Sequence, residues 1–379
     1  MTAARDLPVR RAIGIARVLG ILGIVYAHAW TGRTPDELTA LDGSGQGVLR
    51  WALIELIGHS AVPLLGAISG WLAESSVHKR SYWAFVVTKA RTILVPMLLW
   101  NAIIMALVSA FAIWGTLQTN LPDGPLQALD WWLCLTGPNK IVFQAYFLRD
   151  LFVCMLAAPP LTRLPSGWLW ALIVGSLAWT IYDVRFPLLL RPLILGFFLT
   201  GMLVRRYELV ERIARWPLAA CVAPYLLMVP VMSWLASQNG EWLLAHVRRA
   251  NTIDLVMRIT AALALCRVAL ELAPTRLGRT ILAGERYAFL MFCCHMLLIW
   301  LLGPIVGQLT GPLGSPAYPA LLLVQPMLVL GGTMLMGGAL LALSPRLVSL
   351  LSGGRLAPRA PLPPRAPSAK EPASPPPGA

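Results

Sequence analysis

Residues 16–29 read ARVLGILGIVYAHA, and two ionisable side chains, Arg17 and His28, stand inside this otherwise apolar run. Eleven positions separate them, so on an α-helix they return to within about 20° of one face and stand about 16 Å apart along the axis. An ionisable group in a bilayer core costs several kcal/mol and normally faces a protein interior or a wet cavity. The spacing therefore points to an interior stripe that carries chemistry. The bland alternative places Arg17 at one headgroup layer and His28 at the other, each snorkelling to water.

The rest of the chain settles the class in which that stripe must be read. Of 379 residues, 57% are hydrophobic and only 13% are charged, and the mean hydropathy is +0.68. Those values exclude an ordinary soluble domain and describe an all-α, polytopic membrane helix bundle. Apolar runs long enough to span fall near 13–30, 48–73, 92–114, 144–162, 166–183, 187–204, 216–236, 254–273, 287–308 and 319–343, which makes about ten transmembrane helices. The formal charge of +14 is not distributed as a nucleic-acid surface would need, so no nucleic-acid partner is expected. Its Arg and Lys residues alternate between sparse and dense connecting segments. The dense ones hold Arg5, Arg10 and Arg11, then Lys79, Arg80, Lys89 and Arg91, then Arg205, Arg206, Arg212 and Arg215, and later Arg276, Arg279 and Arg286. By the positive-inside rule these face the cytoplasm, together with both termini.

Residues 1–345 form the expected membrane domain, and 346–379, ending in a Pro-, Ala- and Ser-rich stretch, form an expected disordered cytoplasmic tail. The first run is read as a retained span rather than a cleaved leader, with nine more spans behind it. Six cysteines fall almost wholly inside spans with neither metal nor disulfide spacing and read as small buried hydrophobes.

Other polar groups interrupt the apolar runs. Glu55 and His59 are one helical turn apart and share a face, which suits an ion pair or a proton relay. No third ligand stands nearby, so no metal is expected. Pro63 and the Ser69-Gly70 step are expected to kink the second span. Lys89 and Arg91, at the entry of the third span, suit a phosphate-rich ligand and equally suit the positive-inside rule. Arg149 and Asp150 are adjacent, point in different directions on a helix and are expected to find separate partners, plausibly from the first two spans. Asp254 with Arg258 reads as an interface pair, as does Asp183 with Arg185. His295 is a lone histidine in the ninth span.

In order and spacing these blocks resemble the membrane-bound acyltransferase 3 family, whose members O-acylate surface sugars, glycans, lipids and antibiotics. Arg17 and His28 stand in the family's Arg, ten residues, His register. Val62-Pro63-Leu64 followed by Ser69-Gly70-Trp71-Leu72 is similar to its second helix, Lys89-Ala90-Arg91 before Pro96 to its basic third-helix entry, and YFLRDL at 146–151 to its WFLRDL block. Ala288-Phe289-Leu290 and His295 resemble its late helix. Two positions depart from the pattern: Gly14 stands where an Asp commonly precedes the Arg by three residues, and Thr88 replaces the first Arg of an Arg-x-x-Arg pair.

The resemblance implies a stand-alone O-acyltransferase of the bacterial inner membrane with no appended extracytoplasmic domain. It would move an acyl group, acetyl in the first instance, from cytoplasmic acyl-CoA to a hydroxyl of a cell-surface or periplasmic glycan or glycolipid. Arg17, Lys89 and Arg91 would hold the donor. His28 would act as general base or acyl carrier, Arg149 would steady the oxyanion, and Glu55, His59, Asp150 and His295 would serve acceptor binding or proton relay. A transporter or flippase for a lipid-linked sugar, and a noncatalytic accessory of polysaccharide assembly, are the alternatives. Gly14 in place of Asp favours the last.

Overall fold

The computed structural model describes residues 2–356 apart from Thr116, Gln118, Pro138, Arg185, Pro187 and Asn239. Arg185 and the stretch 357–379 therefore lie outside the described residues. Ten long helical segments follow one another: α1 (Thr2–Ala27), α2 (Gly45–Lys79), α3 (Tyr82–Ile113), α4 (Ala145–Arg163), α5 (Ser166–Tyr182), α6 (Pro192–Arg206), α7 (Leu218–Ala236), α8 (Val247–Leu272), α9 (Glu285–Thr310) and α10 (Tyr318–Leu343). No strand occurs among the described residues. Six of the segments, α2, α3, α4, α7, α9 and α10, are long and apolar enough to cross a membrane. The others miss that standard for visible reasons. Arg10, Arg11 and Arg17 lie in α1, Arg258, Arg267 and Glu271 lie in α8, and α5 and α6 have only 17 and 15 residues.

Helix α9 is apolar on every side, which marks a helix enclosed by others. From Tyr287 to Ile299 nearly every side chain is buried, and α1, α3 and α10 pack around it. On the far side of α1, α2 crosses α6 so closely that side chains are excluded. A Cβ at Gly70 would fall on the Phe198 carbonyl oxygen, and one at Gly201 on that of Ala67. Reciprocal glycines are how membrane helices bring their backbones together. The Ser69-Gly70 step, expected to kink the span, is thus a crossing point within continuous α-helix. Gly70→Leu should destabilise by about 3 kcal/mol, at the upper end of overpacking penalties. Gly331→Leu, on a face of α10 with open space, is the control. Thermal unfolding in detergent checks the pair, and equal midpoints would refute the crossing.

Pro63 likewise sits in unbroken α-helix, from His59 to Ser76. Proline leaves the carbonyl four residues earlier without its helical donor, and here the carbonyl of His59 instead accepts from Arg258 Nη1 at 3.0 Å. Arg258 also pairs with Asp254 at 2.6 Å, as expected. Irregularity in α2 lies earlier, in a wide π-type turn at Ala52–Gly58, and α3 has its own at Ala90–Leu94. At the other end of the α2–α6 crossing, Arg206 Nε pairs with Glu74 at 2.8 Å. Its two Nη groups cap the carbonyls of Thr162 and Leu164 where α4 ends.

The chain beyond 345 is more ordered than the expected tail boundary at 346 implies. Pro345–Leu351 forms α11, whose Leu351 carbonyl accepts from Trp100 Nε1 at 3.0 Å, and Leu356 is buried. Apolar spacing in PRLVSLL buries Val348 and Leu351 against the bundle, and this short signal is easily masked by the Pro-rich sequence that follows.

Candidate active site

Helix α1 carries both residues of the opening stripe toward α9. Arg17 Nη1 donates to Glu285 Oε1 at 3.1 Å, and Glu285 is the first residue of α9, where the helix dipole favours a carboxylate. Gly14 makes room for that carboxylate. A Cβ there would lie 2.6 Å from Glu285 Oε2 and would collide with Leu282 Cδ1. The carboxylate missing from α1 is thus supplied to Arg17 by α9, so the departure at Gly14 does not leave the guanidinium without an acidic partner.

Around this pair opens a cavity of about 510 Å³, lined on its polar side by Arg17, Lys89, Glu285, Arg286 and Arg355. Lys89, Thr92 and Ile93 face it at helical i, i+3, i+4 spacing. Arg91, between them in sequence, is exposed and lies outside the lining. The cation that joins Lys89 is Arg355, brought back from beyond α11. Ser352-Gly353-Gly354 reverses the chain, with positive φ at both glycines, 59° and 79°. A Cβ at Gly353 would meet the Thr92 carbonyl at 2.5 Å, so only glycine lets the strap lie this close. The Arg355 guanidinium then stacks 3.7 Å over the Phe289 ring and donates to the Thr92 carbonyl at 3.1 Å.

Along α9 the lining runs from Glu285 through Phe289 to Phe292, whose ring lies 5.4 Å from that of Phe147. One turn further stands His295, completely buried, with its ring centroid 6.0 Å from Phe292 and 5.4 Å from His28. His28 follows the last turn of α1, half-buried, and stacks on Phe143 at 5.9 Å with 8° between the planes. Two parallel helices therefore share two rungs, Arg17 with Glu285 and His28 with His295, about 15 Å apart. The expected passage is not continuous. The cavity includes Arg17 and ends at the aromatic pair, short of His28.

Glu55 and His59 pair at 3.0 Å across the wide turn of α2, whose Gly58 packs against the Ala27 amide at the His28 end of α1. Arg149 and Asp150 correct the expectation of separate partners. Arg149 Nη1 donates to Asp150 Oδ1 at 2.6 Å and to the Leu188 carbonyl at 2.8 Å. Asp150, fully buried, also accepts the amides of Leu190 and Arg191 at 3.2 and 2.7 Å. Backbone directions diverge by about 100° for neighbours on a helix, but the long Arg side chain curls back once both have the 188–191 segment to hold. That arrangement staples the entry of α6. No cluster of three metal-ligating side chains occurs among the described residues.

Glu285 and Arg355 were not singled out from sequence. A lone acid in the basic stretch LGRTILAGERYAF was the available signal for the first, and the SGGR turn for the second. Both gain meaning only from contacts more than 260 residues away.

The profile of the acyltransferase 3 family, described as an acyltransferase domain, matches residues 10–342. The succinoglycan biosynthesis protein ExoH of Rhizobium meliloti (strain 1021) is 26% identical over 365 residues, covering 92% of this chain and 94% of that protein. No solved structure matches. With the match spanning both rungs of the α1–α9 pair and reaching from α1 into α10, the chain belongs to the acyltransferase 3 family and is a multi-pass membrane O-acyltransferase.

Proposed function

We propose that the protein moves an acyl group from cytoplasmic acyl-CoA to a hydroxyl of a cell-envelope polysaccharide, working in a bacterial inner membrane. Acetyl-CoA is the simplest donor, and the positive-inside rule supports a cytoplasmic side for the basic cavity. The observation that carries this reading is the pair of rungs: cations gathered around Arg17 at one level, imidazoles about 15 Å further along the same two helices. The acceptor class follows from the likeness to a succinoglycan biosynthesis protein.

In this reading Lys89, Arg355 and the outer edge of the Arg17 fork take the phosphates of the donor. Its thin pantetheine arm extends along α9 and parts Phe147 from Phe292 to bring the thioester to His28. His28 takes the proton of the acceptor hydroxyl as the oxygen attacks the thioester carbonyl carbon. The carbon–sulfur bond breaks, the ester forms, and the thiolate leaves with the proton returned from His28. Charge-assisted bonds to a phosphate contribute roughly 1.5–3 kcal/mol each. Arg355→Ala should therefore raise the KM for acyl-CoA about tenfold while kcat holds, and an unchanged KM would remove the strap from the donor site. The reading as a whole is tested with purified protein in lipid vesicles, following thiol release from acyl-CoA and mass gain of added glycan. Thiol release that depends on glycan is expected. Glycan acylation from another donor, with acyl-CoA inert, would overturn the donor assignment.

A further inference from the structure

We infer that His295 is a positioning residue for His28, its bare Nε2 receiving the ring N–H of His28 and holding that imidazole for catalysis. The inference rests on the reading of His28 as the general base and adds the group that orients it. His295 is completely buried in α9, a helix otherwise lined with Leu, Met, Phe and Cys. Its Nδ1 lies 2.8 Å from the Phe292 carbonyl and 3.3 Å from that of Met291. Both are acceptors, so Nδ1 carries the hydrogen, and in the neutral ring Nε2 is then an acceptor only. That atom is buried and has no hydrogen-bond partner.

A buried acceptor left unpaired carries a penalty that a merely space-filling residue would not impose. A Leu or Met would fill this site in α9 without it. The cost is explained if the acceptor has a partner in the working state, and the polar ring beside His295 is that of His28, 5.4 Å away between centroids and tilted by 31°. A modest rotation of His28, or one bridging water, closes the gap, and catalytic hydrogen bonds are commonly long until substrate is bound. His28 is also held by its stack on Phe143, and next to Phe143 a second buried acceptor, Gln144 Oε1, is also unpaired. Gln144 is itself anchored to α9 through Nε2, which donates to the Cys293 carbonyl at 3.3 Å. The neighbourhood of His28 is therefore built with acceptors waiting for donors.

The consequence is a division of labour. His28 takes up the hydroxyl proton on one ring nitrogen, and its other nitrogen, already carrying hydrogen, points at His295 Nε2. No proton passes to His295. Its acceptor fixes which nitrogen of His28 is basic and steadies the imidazolium that forms, as an orienting group does in a catalytic triad.

Two conservative variants separate this role from a structural one. In H295Q the amide oxygen reaches the place of Nε2, and in H295N the short amide keeps the donor to Phe292 but leaves no acceptor toward His28. The full-length protein in lipid vesicles is assayed with acyl-CoA and glycan, and protein content and thermal midpoint are followed in parallel. H295N should lose on the order of 10- to 100-fold in kcat with the KM for acyl-CoA unchanged, whereas H295Q should stay within about fivefold of wild type. Wild-type kcat in H295N, equal losses in both variants, or failure of both to accumulate in the membrane would each overturn the inference and leave His295 a packing residue. If the wild-type protein itself transfers nothing from acyl-CoA, the proposed reaction falls and takes this inference with it. A working wild type beside an indifferent H295N brings down this inference alone.

Discussion

His28→Ala is expected to abolish acyl transfer while the protein accumulates in the membrane at its normal level. A positioned general base contributes typically 10²–10⁴-fold, so the residual rate should fall by about that factor for kcat and kcat/KM alike, with donor binding retained. The structure explains why stability should survive. His28 lies beyond the last turn of α1, is half-buried, and its ring contacts are Phe143 and His295, so truncation removes ring contacts without opening the core. The donor cations stand about 15 Å away on another level of the bundle. Binding and chemistry are thus separable by mutation. A His28→Ala protein that still acylates glycan at near the wild-type rate would show that the base was placed on the wrong residue.

The sequence revealed most where the relevant physics is local. Apolar runs located all ten long helices, because a segment that must hide its backbone from lipid declares itself by composition, but they missed up to about eleven residues where charged turns extend α1, α3 and α8 beyond the apolar part. The helical period put Arg17 and His28 on one stripe, and the structure shows both turned to α9. The i, i+4 pairs Glu55–His59 and Asp254–Arg258 form as spacing suggests. What failed to show was whatever depends on a partner remote in sequence. Arg91 was grouped with Lys89 on charge, yet helix geometry turns it away from the cavity, and the third cation comes from position 355. Arg149 and Asp150 were separated on backbone direction alone, without the 188–191 segment that draws both together. At Pro63 nothing local announces that Arg258 will occupy the carbonyl that the proline strands.

Gly14 is the most instructive of these positions, because its meaning reverses once Glu285 is seen. Read alone, a glycine where relatives commonly carry Asp suggests a weakened or noncatalytic protein. In the fold it is the vacancy that lets the Glu285 carboxylate reach Arg17. If the two carboxylates are alternative solutions to one requirement, each single change should be harmful and the double change should be mild. Glu285→Ala leaves a part-buried guanidinium without its acid, and breaking such a pair costs more than its net worth. A loss of about 10- to 100-fold in kcat/KM for acyl-CoA is expected, with kcat less affected. Gly14→Asp alone brings a second carboxylate into contact with the first, since its Cβ would already lie 2.6 Å from Glu285 Oε2, so it should lose activity and stability together. In Gly14→Asp/Glu285→Ala the carboxylate conflict disappears, and the close contact left at the Cβ is the end of Leu282, a flexible side chain. The new carboxylate sits three residues before Arg17 on the same helix, within reach of its guanidinium. Activity of the double variant should return to within about tenfold of wild type, a coupling of more than 1 kcal/mol between sites that are in contact. Additive losses in the double variant would mean that Glu285 serves the donor directly and that Arg17 needs no carboxylate to hold it.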